Sequence, residues 1–165
     1  MAAKRSLDIK NLVPRKNSVY KQDYYVVQNP NKYIGPLNKC IYRSSYELKF
    51  MKHCDSSDRV IKWSSEPLAI DYFDPIKQVM KPYNVDFYMK VEDELGNTKE
   101  YIVEVKPFRQ LSPPEQPKRR TLKMINSYNE AMKTYIINYS KFNAAKLYAE
   151  SRGWEFIVVS EKYIF

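Results

Sequence analysis

One histidine, His53, stands in a chain of 165 residues. A multi-histidine metal site is therefore excluded, and a histidine-based catalytic triad has almost nothing to draw on. Cysteine is nearly as scarce. Cys40 and Cys54 are the only two, their spacing is not that of a metal site, and they read as reduced thiols of a cytosolic chain. No apolar run is long enough to span a bilayer. The N-terminal Met-Ala-Ala-Lys-Arg-Ser is basic but lacks the apolar segment of a secretion signal, so the expected location is intracellular. There is no internal repeat and no low-complexity tract. One domain is the simplest organisation at this length, with enough chain for a real core.

What the chain has in excess is positive charge. Lys and Arg number 28 against 19 Asp and Glu, a formal net charge of +9. That balance favours an anionic partner, and nucleic acid leads the candidates. The 15 tyrosines suit base stacking as well as a core and its rim. Neither feature separates a binder from an enzyme. Residues 1–22 carry Lys4, Arg5, Lys10, Arg15, Lys16 and Lys21 with only Asp8 against them. They read as a basic N-terminal arm, either a solvated terminus or an arm laid along a phosphate backbone. Residues 23–165 are then a single domain.

Along that domain the pattern is mixed. Tyr24–Val27 is a candidate short strand. Ser44 is a good N-cap with Glu47 three residues on, a capping box, so a helix is expected to begin there. Tyr46, Phe50, Met51 and Cys54 form its buried stripe. Glu47 shares that side, a costly place for a lone charge. The cap explains the residue type but not its inward position. Val60–Trp63 and Leu68–Phe73 read as strands. Tyr83–Val91 reads as one strand, with Val85, Phe87, Met89 and Val91 on one face and Asp86, Tyr88 and Lys90 on the other. After a polar turn at Gly96, Thr98–Lys106 returns as the second half of a β-hairpin. Pro107, Pro113, Pro114 and Pro117 mark a loop, followed by the basic run Lys118-Arg119-Arg120. Leu122, Ile125, Ala131, Met132, Tyr135 and Ile136 fit an amphipathic helix. Ser140 is the expected cap of a second helix running to Arg152, with Gly153 as its stop. Trp154–Ser160, almost continuously apolar, is a buried strand docked after a helix. The expected fold class is α/β (α+β), with a mixed central sheet flanked by helices.

The chemistry concentrates at Tyr101-Ile102-Val103-Glu104-Val105-Lys106-Pro107. Strand alternation sends Val103 and Val105 one way and Ile102, Glu104 and Lys106 the other. Glu104 and Lys106 thus leave the strand end side by side, about 6–7 Å apart along the backbone. A same-face ion pair is the plain reading of that dipeptide spacing. In the hairpin, however, the start of the first strand lies beside the end of the second, so Asp86 falls opposite Glu104. Two carboxylates and a lysine then converge, with Glu47 on the earlier helix as a third acid. Without histidine, such a set suits a hard, oxygen-loving cation, Mg²⁺ or Mn²⁺. Such a cation polarises a phosphoryl oxygen and activates water, while the lysine stabilises developing charge.

Glu47 on an early helix, Asp86 in Tyr83-Asn84-Val85-Asp86-Phe87, and Glu104-Val105-Lys106 after a hairpin resemble the PD-(D/E)xK, or restriction-endonuclease-like, nucleases. Arg43-Ser44, Glu47, Asp86-Phe87 and Val103-Glu104-Val105-Lys106 are similar to the TnsA-like branch, and the chain as a whole to the small head-completion nucleases of tailed phages. The resemblance covers roughly residues 40–160. It implies a restriction-endonuclease-like core and metal-dependent cleavage of DNA phosphodiesters. Asp86 and Glu104 would be metal ligands, Lys106 the catalytic lysine, and Glu47 the acid that completes the metal site or orients its water. Mg²⁺ would be the cofactor, with Mn²⁺ able to substitute. The proline of the usual Pro-Asp pair is replaced by Val85. Asn143 and Lys146 resemble an Asn-x-x-Lys element of the branch. With Arg43, Lys118, Arg119 and Arg120 they are the candidate DNA contacts.

The resemblance also implies DNA and phage head or portal-vertex proteins as partners, and a place in the virion and the host cytoplasm. Cutting both strands calls for two active sites, which a homodimer would provide. Two other readings stay open: a non-catalytic DNA-binding structural protein of a viral head, and a nuclease directed at RNA.

Overall fold

In the computed structural model, residues 21–163 are described, together with Pro14 and Ser18. The basic arm expected over residues 1–22 therefore lies almost wholly outside the described residues. Two short strands, β1 (Asp23–Tyr24) and β2 (Ile41–Tyr42), pair antiparallel ahead of helix α1 (Ser45–Ser56). Strands β3 (Val60–Ser65), β4 (Ala69–Asp74), β5 (Val79–Asn84), β6 (Phe87–Glu92) and β7 (Thr98–Val105) follow, then helix α2 (Leu122–Ser151) and strand β8 (Glu155–Val159). The central sheet has the order β3-β6-β7-β8. Its first two pairings are antiparallel and β7–β8 is parallel. A parallel pair needs a crossover, and α2 supplies it. The sheet is thus mixed and flanked by helices, as the sequence pattern implies.

α1 begins where its capping box places it. Ser44 Oγ accepts from the Glu47 backbone N–H at 3.1 Å. Phe50, Met51 and Cys54 enter the core on one face of the sheet with Val60, Trp63, Phe87, Val103 and Val105. The other face is covered by α2 and the β4–β5 hairpin, through Ile70, Tyr72, Tyr83, Val85, Ile102, Ala145 and Ala149. Alternation along β7 therefore sends Ile102 and Glu104 to the α2 side and Val103 and Val105 to the α1 side. Cys40 and Cys54 are buried free thiols; burial pushes the Cys40 thiol up to about 11. Among the described residues no helix is long and apolar enough to cross a membrane.

Three sequence expectations are corrected. Tyr83–Val91 is not one strand. β5 ends at Asn84 and pairs with β4 in a hairpin of its own, while β6 starts at Phe87 in the central sheet. Val85 lies in the core under α2 and Phe87 in the core under α1, so the face switches between them and Asp86 sits at the corner. Val85 N–H donates to Leu68 at 3.1 Å and the Asp86 carbonyl accepts from Glu66 N–H at 2.8 Å, which fixes that corner. Nor are there two late helices. α2 is one helix of 30 residues, capped by Thr121, and the Ser140 hydroxyl donates to the Phe73 carbonyl of β4 instead of starting a new helix. No glycine or proline interrupts residues 122–151, so nothing forces a break. Third, the strand expected over Tyr24–Val27 is reduced to β1.

Candidate active site

The site is built at the end of β7, between its antiparallel neighbour β6 and its parallel neighbour β8. Phe87 pairs with Val103, so Asp86 falls opposite Glu104. One Asp86 carboxylate oxygen accepts from the Val105 backbone N–H at 2.8 Å, pinning the acid across the strand end. Glu104 is 2% exposed. Its Oε1 meets Lys106 Nζ at 2.8 Å. Its Oε2 is buried and has no hydrogen-bond partner among the described residues. A buried oxygen of this kind carries its whole desolvation cost uncompensated.

The electrostatics follow from that crowding. Removal from water, and then the charge of Glu104, push the Asp86 carboxyl up to about 7; Lys106 and the Val105 N–H act against the shift. Burial disfavours the Lys106 ammonium, but Asp86 and Glu104 outweigh it and hold the group above its ordinary range. Glu47 approaches from the first turn of α1. Its oxygens accept from Ser44 Oγ at 3.0 Å and from the Arg43 backbone N–H at 2.8 Å. Burial, and next the Asp86 charge, push its carboxyl up to about 7 as well.

Two facing acids, one with an unpartnered buried oxygen, and a third acid in their field form a donor set of hard oxygens that fits a hard divalent cation. Among the described residues no three His, Cys, Asp or Glu side chains close into a ready-made cage. The reason is visible in Glu47, whose two oxygens are turned back onto its own capping box.

The chemistry these residues support is hydrolysis of an anionic ester, and the comparisons bear on which. Residues 57–161 match the family model of the TnsA-like endonuclease N-terminal domain. The chain is also 32% identical over 137 residues to the head completion nuclease of Enterobacteria phage T4, covering 83% of this chain and 89% of that protein. The chain belongs to the TnsA-like endonuclease family. The matched span contains Asp86, Glu104 and Lys106 and starts downstream of Glu47.

Within this TnsA-like endonuclease the remaining candidates scatter. Arg43 is half-buried and its guanidinium is engaged by Glu66, with Nη2 3.3 Å from Oε2, so its recorded partner is a carboxylate of the protein itself. Lys118, Arg119 and Arg120 are exposed in the segment leading to α2. Asn143 and Lys146 are exposed on the outer side of α2, not beside the acids. The inward stripe of α2 is instead Asn138, Lys141, Ala145 and Ala149, spaced i, i+3, i+7 and i+11. The same Asn-x-x-Lys spacing thus occurs twice on this helix, and only burial tells the two copies apart.

Glu66 was not legible as a site residue. It stands in a turn, has a left-handed backbone (φ 45°), and its N–H holds the Asp86 carbonyl. A non-glycine residue in that region is strained and persists only where its surroundings over-determine it. Here Arg43 and Asp86 do so.

Proposed function

We propose that the chain is a divalent-metal-dependent DNA endonuclease that hydrolyses phosphodiester bonds of phage DNA during head completion. The observation that carries this reading is the Asp86–Glu104 pair, opposed across a strand end, with Lys106 at 2.8 Å and one glutamate oxygen unpartnered. Asp86 and Glu104 are the residues that would hold Mg²⁺, or Mn²⁺ in its place, with Glu47 behind them. When bound, the cation supplies Lewis acidity toward a phosphoryl oxygen and a more acidic water.

The side chains of the chain do the rest. Lys106 places a fixed positive charge where negative charge develops on the phosphoryl oxygens. Val105 N–H keeps Asp86 in position. Glu47, its carboxyl pushed up to about 7 by burial and the Asp86 charge, would in its ionised form orient a water or accept its proton. The surrounding positive charge, +9 over the chain, holds a phosphate backbone against the acids. Lys118, Arg119 and Arg120 are the exposed candidates for that hold. The name of the T4 relative supports a role in phage head completion; head or portal-vertex proteins as partners, and the virion and the host cytoplasm as locations, are part of the proposal. A homodimer would supply two sites for double-strand cutting.

The test is cleavage of linear and circular duplex DNA in Mg²⁺, Mn²⁺, Ca²⁺ or EDTA. The wild type is expected to cut in Mg²⁺ and Mn²⁺ and not in EDTA. Asp86→Ala and Lys106→Ala are each expected to lower the rate by about 10²–10⁴ while DNA binding persists. A wild-type protein that binds DNA and never cuts it would make this a non-catalytic DNA-binding protein of the head.

A further inference from the structure

We propose that Lys141, Asn138 and Tyr83 form a second phosphate-binding site beside the acids, which grips the phosphodiester flanking the one that is cut. This rests on the nuclease reading of the same site.

The first argument is placement. β7 and β8 are parallel, so the connecting α2 runs back antiparallel to them. The five residues of β8 span about 16 Å at roughly 3.3 Å each. About eleven helical residues cover the same distance at 1.5 Å each. Counting back from the end of α2 at Ser151 brings the level of Val105 and Val159, which pair with one another, to the neighbourhood of Lys141. Ala145 and Ala149, both 0% exposed, let the helix approach the sheet closely. Asn138 and Lys141 continue that inward stripe at the end where Glu104 and Lys106 stand.

The second argument is what these side chains lack. The Tyr83 hydroxyl and the Asn138 side-chain nitrogen are buried and have no hydrogen-bond partner among the described residues. Their residues are 6% and 7% exposed. Lys141 Nζ lies 5.4 Å from the ring centre of Tyr72 and 5.5 Å from that of Tyr83. No hydrogen bond or ion pair is recorded for it among the described residues. Ammonium, amide N–H and phenol O–H are all donors, and the missing component is an acceptor. Non-bridging phosphate oxygens are acceptors only, and they carry the charge an ammonium prefers.

The third argument is that Lys141 is held off the acids. It lies within the fields of Lys106, Glu104 and Asp86, and burial, followed by Lys106, lowers its proton affinity. An unrestrained ammonium in that position would collapse onto a buried carboxylate. The edge-on pair of Tyr72 and Tyr83, ring centres 5.9 Å apart at 85°, offers the cation two ring faces instead. Its charge therefore stays available to a ligand. Lys106 is already committed to Glu104 and the reacting group, so Lys141 has the neighbouring phosphodiester to hold.

The experiment measures affinity for a short duplex in Ca²⁺ as salt is raised, alongside cleavage kinetics in Mg²⁺. Lys141→Met is expected to weaken binding and to reduce the slope of log K against log[salt] by about 0.9, the loss of one phosphate contact. KM should rise more than kcat falls. Lys141→Arg is expected to restore the slope. Tyr83→Phe, which keeps the ring and removes only the hydroxyl, should weaken binding several-fold without changing the slope, and it serves if Lys141→Met fails to fold. A wild type that binds and cuts, with slope and affinity unchanged in Lys141→Met and Tyr83→Phe, overturns the second site and leaves the nuclease reading intact. A wild type that neither binds nor cuts DNA overturns both.

Discussion

Asp86 and Glu47 are each pushed up to about 7, from ordinary values of 3.8 and 4.5. The sign of the consequence is fixed by linkage. A carboxyl with a raised folded pKa contributes stability while protonated. That contribution is complete below the unfolded pKa and is lost as pH rises through the folded one. In EDTA the thermal midpoint is therefore expected to fall between about pH 4 and pH 7. Above pH 7, Mg²⁺ should raise it, since a ligand bound only by the folded state stabilises that state. Asp86→Asn should flatten both responses. Thermal melts across that range check this; a flat wild-type profile in EDTA contradicts it. At this scale, the convergence of Asp86, Glu104 and Lys106 could be read from sequence, because strand alternation and hairpin symmetry are local rules. Glu66 and Lys141 could not. They come within the field of the acids from a turn and from a distant helix, and no periodicity within their own segments points there.

The elements show where the local rules stop. The capping box at Ser44 and Glu47 placed α1 correctly because its hydrogen bonds lie within one turn. The break between β5 and β6 was hidden because Val85, Phe87, Met89 and Val91 alternate as a single strand would. The alternation is real from Phe87 onward, but Val85 lies between the two strands and packs in the core on the other face of the sheet. Ser140 misled in the opposite way: a good capping residue is spent on a tertiary bond to β4. The two inward alanines of α2 fix its distance from the sheet. Ala145→Leu is expected to overpack that contact and cost about 1–3 kcal/mol. Urea unfolding should show a lower midpoint, while Leu147→Ala, at a position 68% exposed, should change stability by no more than about 0.5 kcal/mol. Equal stability of Ala145→Leu and wild type would mean that the helix is not seated as described.

For the molecule as a whole, composition alone pointed to an anionic partner, and the mixed sheet was legible because an apolar strand follows a helix; that strand, expected to be buried, is the half-buried edge strand β8. What composition could not supply was the placement of charge relative to the acids. That depends on the crossover through α2.

The strand bearing Glu104 is flanked by β6 on one side and by β8 on the other, and the Lys106 N–H donates to the Val159 carbonyl at 2.9 Å. Residues far apart along the chain must therefore meet before the strand that carries Glu104 and Lys106 is held on both sides. Parallel pairing across a helical crossover is a slow, non-local event. On the proposed nuclease reading, cleavage competence is then expected to wait for the docking of β8. In refolding, activity should return with the slow phase that buries Trp154, whose ring packs 5.2 Å from Tyr88, and not with the earlier gain of helix. Stopped-flow fluorescence and circular dichroism, run beside a quenched cleavage assay, would separate the two. Activity appearing with the helix signal would show that the site forms without β8.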